Sequence, residues 1–97
     1  PAWYWRQTGQ AYMVLRQFEQ ALAMFAHVPS RTDRTSAYMA ACCARLHQTD
    51  RARQYAAECL SDNPDFSIRQ FVSKEPFRDL AEVDYLAEAL RLAGLPE

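Results

Sequence analysis

Few side chains in this sequence are intrinsically reactive: three cysteines, two histidines and scattered carboxylates. A nucleophilic thiol needs a neighbouring base or a positive field to ionise, and a thiolate metal site needs ligands that converge. Cys42, Cys43 and Cys59 lack a Cys-x-x-Cys spacing and lie in apolar helical stretches. Adjacent Cys42 and Cys43 would project about 100° apart on a helix, which argues against a mutual disulfide and against their sharing one metal. They read as reduced core residues. His27 and His47 each fall at a helix end or turn, where an imidazole is commonly placed for the helix dipole. A Cys–His nucleophile pair would need a proximity that the sequence does not display. Asp62 and Asp65 flank Asn63 and Pro64, which read as a solvated helix end and loop rather than an oxygen-ligand cage. Gly9 and Gly94 are the only glycines, so there is no phosphate-cradling loop. Ser30, Ser36, Ser61, Ser67 and Ser73 have cap or loop roles open to them. The expectation is therefore no catalytic residue, no metal and no cofactor.

What remains is to ask which elements these residues sit on. Apolar residues recur at steps of three and four, giving six helical segments. The first, about 2–15, carries Trp5, Thr8, Tyr12 and Leu15 on one face. The second, about 18–27, carries Phe18, Ala21, Leu22 and Phe25, and Pro29 stops it. A loop of 29–34 leads to a third helix, about 34–46, burying Met39, Cys42 or Cys43, and Leu46. The fourth, about 50–61, buries Ala52, Ala56, Cys59 and Leu60, and Asn63-Pro64 ends it. A short fifth helix near 67–73 precedes Pro76-Phe77-Arg78, read as an extended turn with Phe77 as an apolar plug. In the sixth, Asp79 caps the N-terminus with Glu82 three residues on, and Val83, Leu86, Leu90 and Ala93 form the stripe. Gly94 then supplies a left-handed residue, Leu95 folds back onto Leu90 and Pro96 blocks continuation, a Schellman-type stop.

Composition sets the class. Of 97 residues, 49% are apolar and 24% charged, which suits one globular domain and not a disordered tail. No apolar run approaches the ~20 residues that span a bilayer. Residues 1–60 hold seven Lys/Arg against four Asp/Glu, and residues 75–97 hold two against six. The basic residues are dispersed, which disfavours a nucleic-acid surface. The first residue is Pro1 and a helical pattern begins at once, so the chain reads as a fragment of a longer polypeptide, with its natural C-terminus near Glu97.

Self-comparison pairs Arg16-Gln17-Phe18-Glu19-Gln20-Ala21 with His47-Gln48-Thr49-Asp50-Arg51-Ala52, and the two alanines lie 31 residues apart. In the first pair, Trp5, Gly9, Tyr12, Ala21 and Phe25 resemble the tetratricopeptide repeat (TPR) pattern, with Thr8 in place of the usual Leu. The second pair is degenerate, with Ala40, Cys43 and Ala56 where Gly, Tyr and Phe would be. Gly9 should permit close helix approach, with Phe25 opposite; a helical Gly costs ~1 kcal/mol against Ala, which that packing must offset. The small residues of the second pair predict thinner packing. Arg16 and His47 replace the usual turn glycine, and a left-handed conformation at either stores about 1 kcal/mol. The expected fold is all-α, a TPR-like helix-turn-helix array of about six helices. It is one domain, with pairs at about 2–28 and 34–61 and a divergent capping unit at 67–94. Asn63-Pro64-Asp65-Phe66, Pro76-Phe77-Arg78-Asp79 and Ala93-Gly94-Leu95-Pro96-Glu97 further resemble the C-terminal region of bacterial class III adenylate/guanylate cyclases that carry TPRs.

The resemblance implies a non-catalytic, cytoplasmic module that binds a protein or peptide segment, another part of the parent chain included. It would be the regulatory tail of a cyclase signalling protein. The alternative is an end-cap or homodimerisation segment of another bacterial TPR regulator. In TPR arrays the first helix of each pair lines the concave side. That assigns Trp3, Arg6, Gln10 and Met13 from the first pair, and Arg34, Ala37, Ala41 and Arg45 from the second, as groove candidates. Arg6 and Gln10 would hold a carboxylate or peptide backbone. Ala37 and Ala41 supply no polar partner, which favours an apolar groove or one filled by the same chain.

Overall fold

The two helical pairs repeat in register. The computed structural model describes residues 2–29, 31–74 and 79–97. It contains α1 (Ala2–Val14), α2 (Phe18–Ala26), α3 (Asp33–Arg45), α4 (Thr49–Asp62), α5 (Ile68–Ser73) and α6 (Leu80–Leu92). No strand occurs among the described residues. Helices α1 and α3 start 31 residues apart, as do α2 and α4. The turns between them match as well. Arg16 has φ 63° and His47 has φ 60°, and the following Gln17 and Gln48 have φ/ψ of −98°/76° and −95°/71°.

Each turn is closed by the same pair of hydrogen bonds. The Arg16 and Gln17 N–H groups donate to the Met13 and Tyr12 carbonyls, and those of His47 and Gln48 donate to Ala44 and Cys43. This is the Schellman arrangement, which normally employs glycine at the left-handed position. It recurs at the end of α6, where Gly94 (φ 94°) donates to Arg91 and Leu95 to Leu90. The expected stop after α6 is thus present, and both arginine and histidine occupy strained turns.

Inside the first pair, Phe25 is fully buried and its ring lies on Gly9. A Cβ at position 9 would meet three ring carbons at 2.8 to 2.9 Å. The expected α1 stripe needs correction, because Leu15 is exposed at the helix end while Gly9 and Met13 are buried.

The second pair is not the thin half. Every residue from Thr35 to Cys43 is buried, and α3 and α4 make the most extensive helix packing in the chain, with α2 and α6 also against α3. Small side chains such as Ala40, Cys43, Ala52 and Ala56 bring the backbones together instead of leaving space. A ring series runs out from this centre. Phe25 stacks on Tyr38 at 5.2 Å, Tyr38 meets Phe71 at 5.3 Å, and Phe71 meets Phe66 at 5.4 Å.

α6 joins the pairs by packing on α3, and α5 packs on α6. α5 holds six residues, under two turns. Its start is secured by the chain end: the Ile68 and Arg69 N–H groups donate to the Pro96 and Glu97 carbonyls, and Ser67 Oγ accepts from the Gln70 N–H. At α6, Asp79 Oδ1 accepts from the Ala81 N–H at 2.9 Å. Glu82 does not complete a capping box, since its carboxylate reaches across to Arg16. The turn expected at Pro76-Phe77-Arg78, and Ser30, lie outside the described residues.

Candidate functional site

The eight groove candidates divide into three groups. Trp3 is 57% exposed, Arg6 is exposed and Gln10 is half-buried, all on a side of α1 open to solvent. Ala37 and Ala41 are fully buried and Met13 nearly so, which removes them from the contact surface assigned to them. The physical reason is packing: α3 lies against α2, α4 and α6, and Met13 lies beside Tyr85 and Leu86 of α6. Arg34 is half-buried with its guanidinium 5.7 Å from the Phe71 ring centroid, so it faces α5. Arg45 is half-buried too and grips α6.

That grip centres on Tyr85, which the sequence reading passed over. Arg16 Cζ lies 3.6 Å from the Tyr85 ring centroid and Arg45 Cζ lies 3.8 Å from it. Both distances fall well inside the range for a guanidinium attracted to a ring face. Arg16 Nη1 and Nη2 donate to Glu82 Oε2 and Oε1 at 2.9 and 3.1 Å, a two-pronged pairing that only a planar guanidinium makes. Arg45 Nη2 donates to the Tyr85 carbonyl at 2.8 Å and lies 3.8 Å from the Glu88 carboxylate. Phe18 stacks near the same ring, centroids 6.3 Å apart. One arginine comes from the turn of the first pair and the other from the last turn of α3, so two successive repeats converge on one tyrosine. The available sequence signal was Arg16 itself, a long cation at a position where glycine is cheapest.

The groups screened for chemistry have other occupations. Burial pushes the Cys42 thiol far up and raises Cys43 as well. Cys59 is pushed up to about 12 by burial and then by Asp33 and Asp62. All three are free and buried, protonated at neutral pH, and so poor nucleophiles. His27 stacks on Trp5 with centroids 4.4 Å apart. Asp62 Oδ2 accepts from the Asp33 N–H at 2.9 Å, capping α3, while Asn63 Nδ2 donates to Asp33 Oδ2 at 3.0 Å. Among the described residues, no group of three or more His, Cys, Asp or Glu could hold a metal ion, and no helix is long and apolar enough to cross a membrane. A cleft of about 570 Å³ is lined by Val28, Arg31, Ser36, Glu58, Ser61 and Asp62. Arg31 and Glu58 face each other across 3.4 Å there.

Compared with protein-family models, with curated proteins and with solved structures, the chain matches none.

Proposed function

We propose that this chain is a non-catalytic TPR-type module that holds protein segments on its first-helix side. The observation that carries the reading is the seating of α6 on α3. In this array the first-helix face of the second pair already accommodates a helical segment. The matching face of α1 is open and bears an aromatic, a cation and an amide in Trp3, Arg6 and Gln10. Arg6 and Gln10 stand 31 residues before Ala37 and Ala41, so they take the place of two small buried residues of α3. Side chains of that length keep a partner backbone further away and read it through hydrogen bonds and charge. The partner that fits is an acidic peptide or protein segment.

Probing an array of acidic and basic peptides with the labelled chain tests this. Acidic peptides should be retained, and Arg6→Glu should abolish their retention with the helical circular dichroism unchanged. Equal retention by the variant would remove α1 as the contact face.

The tail motifs, through their resemblance to bacterial class III cyclases, make the parent a cytoplasmic adenylate/guanylate cyclase signalling protein and this segment its regulatory part. Reading the full-length gene product for an upstream cyclase domain decides that point. A second reading, self-association, draws on the exposed aromatic end of α1, where Trp3 and Tyr4 meet edge to face at 6.3 Å. Sedimentation showing a strict monomer at high concentration would exclude it.

A further inference from the structure

We infer that the groove built by the two pairs recognises an amphipathic helix bearing glutamate, tyrosine three residues on and leucine directly after it. α6 is the resident copy, and a helix of the same pattern supplied in trans displaces it. The inference rests on the reading of the chain as a segment-binding module, and it names the partner and the control of that site.

The contact has the anatomy of recognition. Its centre is apolar, with Leu86, Ala89 and Leu90 of α6 buried in the chain's packing of α6 on α3, whose Ala37 and Ala41 have no exposure. Its edge is polar and selective: Glu82 is chelated by Arg16, and the Tyr85 ring takes both guanidiniums. Anchors of these types, a tyrosine held by arginines beside buried aliphatics, carry most of the energy in protein interfaces. The edge is also accessible, with the Arg16 and Glu82 side chains 40% and 23% exposed. Opening the pair therefore returns both charges to water and strands neither of them in the interior.

One further observation points to the same place. Among the described residues, the two non-glycine residues with positive φ, Arg16 and His47, both border the Tyr85 neighbourhood. Backbone strain that persists where glycine would relieve it marks a position retained for its side chain. At Arg16 that side chain is the one reading glutamate and tyrosine. The cleft lined by Arg16, Arg45, Glu82, Tyr85 and Leu86 is only about 20 Å³, so the seat is closely filled and a competitor must match α6 in shape.

The test uses a fluorescein-labelled synthetic peptide of residues 79–95 and the full chain, unaltered or loosened by Tyr85→Ala with Leu86→Ala. Because an occupied seat lowers apparent affinity by the fraction that is open, the loosened chain should bind the peptide at least about tenfold tighter. Arg16→Glu with Arg45→Glu in the loosened chain should abolish that binding, as should Glu82→Lys with Tyr85→Ala in the peptide. Equal affinity for the unaltered and loosened chains, or indifference to the two arginines, overturns the inference. Should the loosened chain not fold, hydrogen exchange on the unaltered chain gives the answer. Excess unlabelled peptide should speed exchange of the α6 amides and leave α3 and α4 protected. Unchanged α6 exchange at saturating peptide refutes displacement. If displacement fails while Arg6→Glu still abolishes retention on the peptide array, the segment-binding reading stands and only the role given to α6 falls.

Discussion

Replacing Gly9 by alanine sets two known effects against each other, and the structure decides between them. Alanine in a helix interior is favoured over glycine by ~1 kcal/mol, so on an isolated helix the change stabilises. Here the new Cβ would lie 2.8 to 2.9 Å from three carbons of the Phe25 ring. That ring has no exposed surface and is stacked on Tyr38 at 5.2 Å, so it has little freedom to retreat. Overpacking of a filled core costs about 1–3 kcal/mol, and fixed neighbours on both sides place this case in the upper part of that range. The expected outcome is a net loss of about 1 kcal/mol, or ~4–8 °C in melting temperature for a domain of this size. Urea unfolding followed by circular dichroism measures it, together with Phe25→Leu and the double variant. The smaller leucine should accommodate the new methyl, giving a coupling of about 1–2 kcal/mol between the two sites. Gly9→Ala stabilising the chain by about 1 kcal/mol, or simple additivity with Phe25→Leu, would refute the contact and with it the close approach of α1 and α2.

His47→Gly should stabilise by about 1 kcal/mol in the same urea assay, because it relieves the left-handed turn. Arg16→Gly gains the same relief but loses the Glu82 and Tyr85 contacts, so its net gain should be smaller, and equal gains would mean that Arg16 contributes nothing at α6. A double-mutant cycle of Arg16→Ala with Glu82→Ala should give no more than about 1 kcal/mol of coupling, since both side chains are partly exposed. The raised Cys59 thiol makes stability pH-dependent. Its contribution is complete below the ordinary thiol range near 9 and is lost as pH rises toward about 12, where only the unfolded chain has already ionised. Melting temperature should therefore fall above pH 9, and replacing Cys59 by alanine should flatten that fall. A thiol reagent at pH 8 should label none of the three cysteines until urea is added.

The local features were readable because local chemistry specifies them. Gly94, Leu95 and Pro96 dictate a helix stop through adjacent residues, and the structure places the Leu95 N–H on the Leu90 carbonyl. The 31-residue offset between the pairs was equally visible, since each turn is set by the residues within it. What escaped was long-range. Ala37 and Ala41 read equally well as the floor of an open groove and as part of a packed interior, and only the helices around α3 choose. Glu82 stands three residues after Asp79, which suggests a capping box, yet its partner is 66 positions away. Tyr85 gave no signal of its own, because a tyrosine on an amphipathic helix is ordinary until two arginines are found on its ring.

The first helices of the two pairs differ in how far they are enclosed. α3 is packed by α2, α4 and α6 and has buried every residue from Thr35 to Cys43. On such a helix a long polar side chain would be desolvated, and small or apolar residues win. α1 is packed chiefly by α2. At the positions matching Ala37 and Ala41 it keeps Arg6 and Gln10, which reach solvent without that penalty. The small residues Ala37 and Ala41 therefore go with the burial of α3 at the centre of the molecule. Arg6 and Gln10 persist at the matching positions because that face of α1 is still open to water.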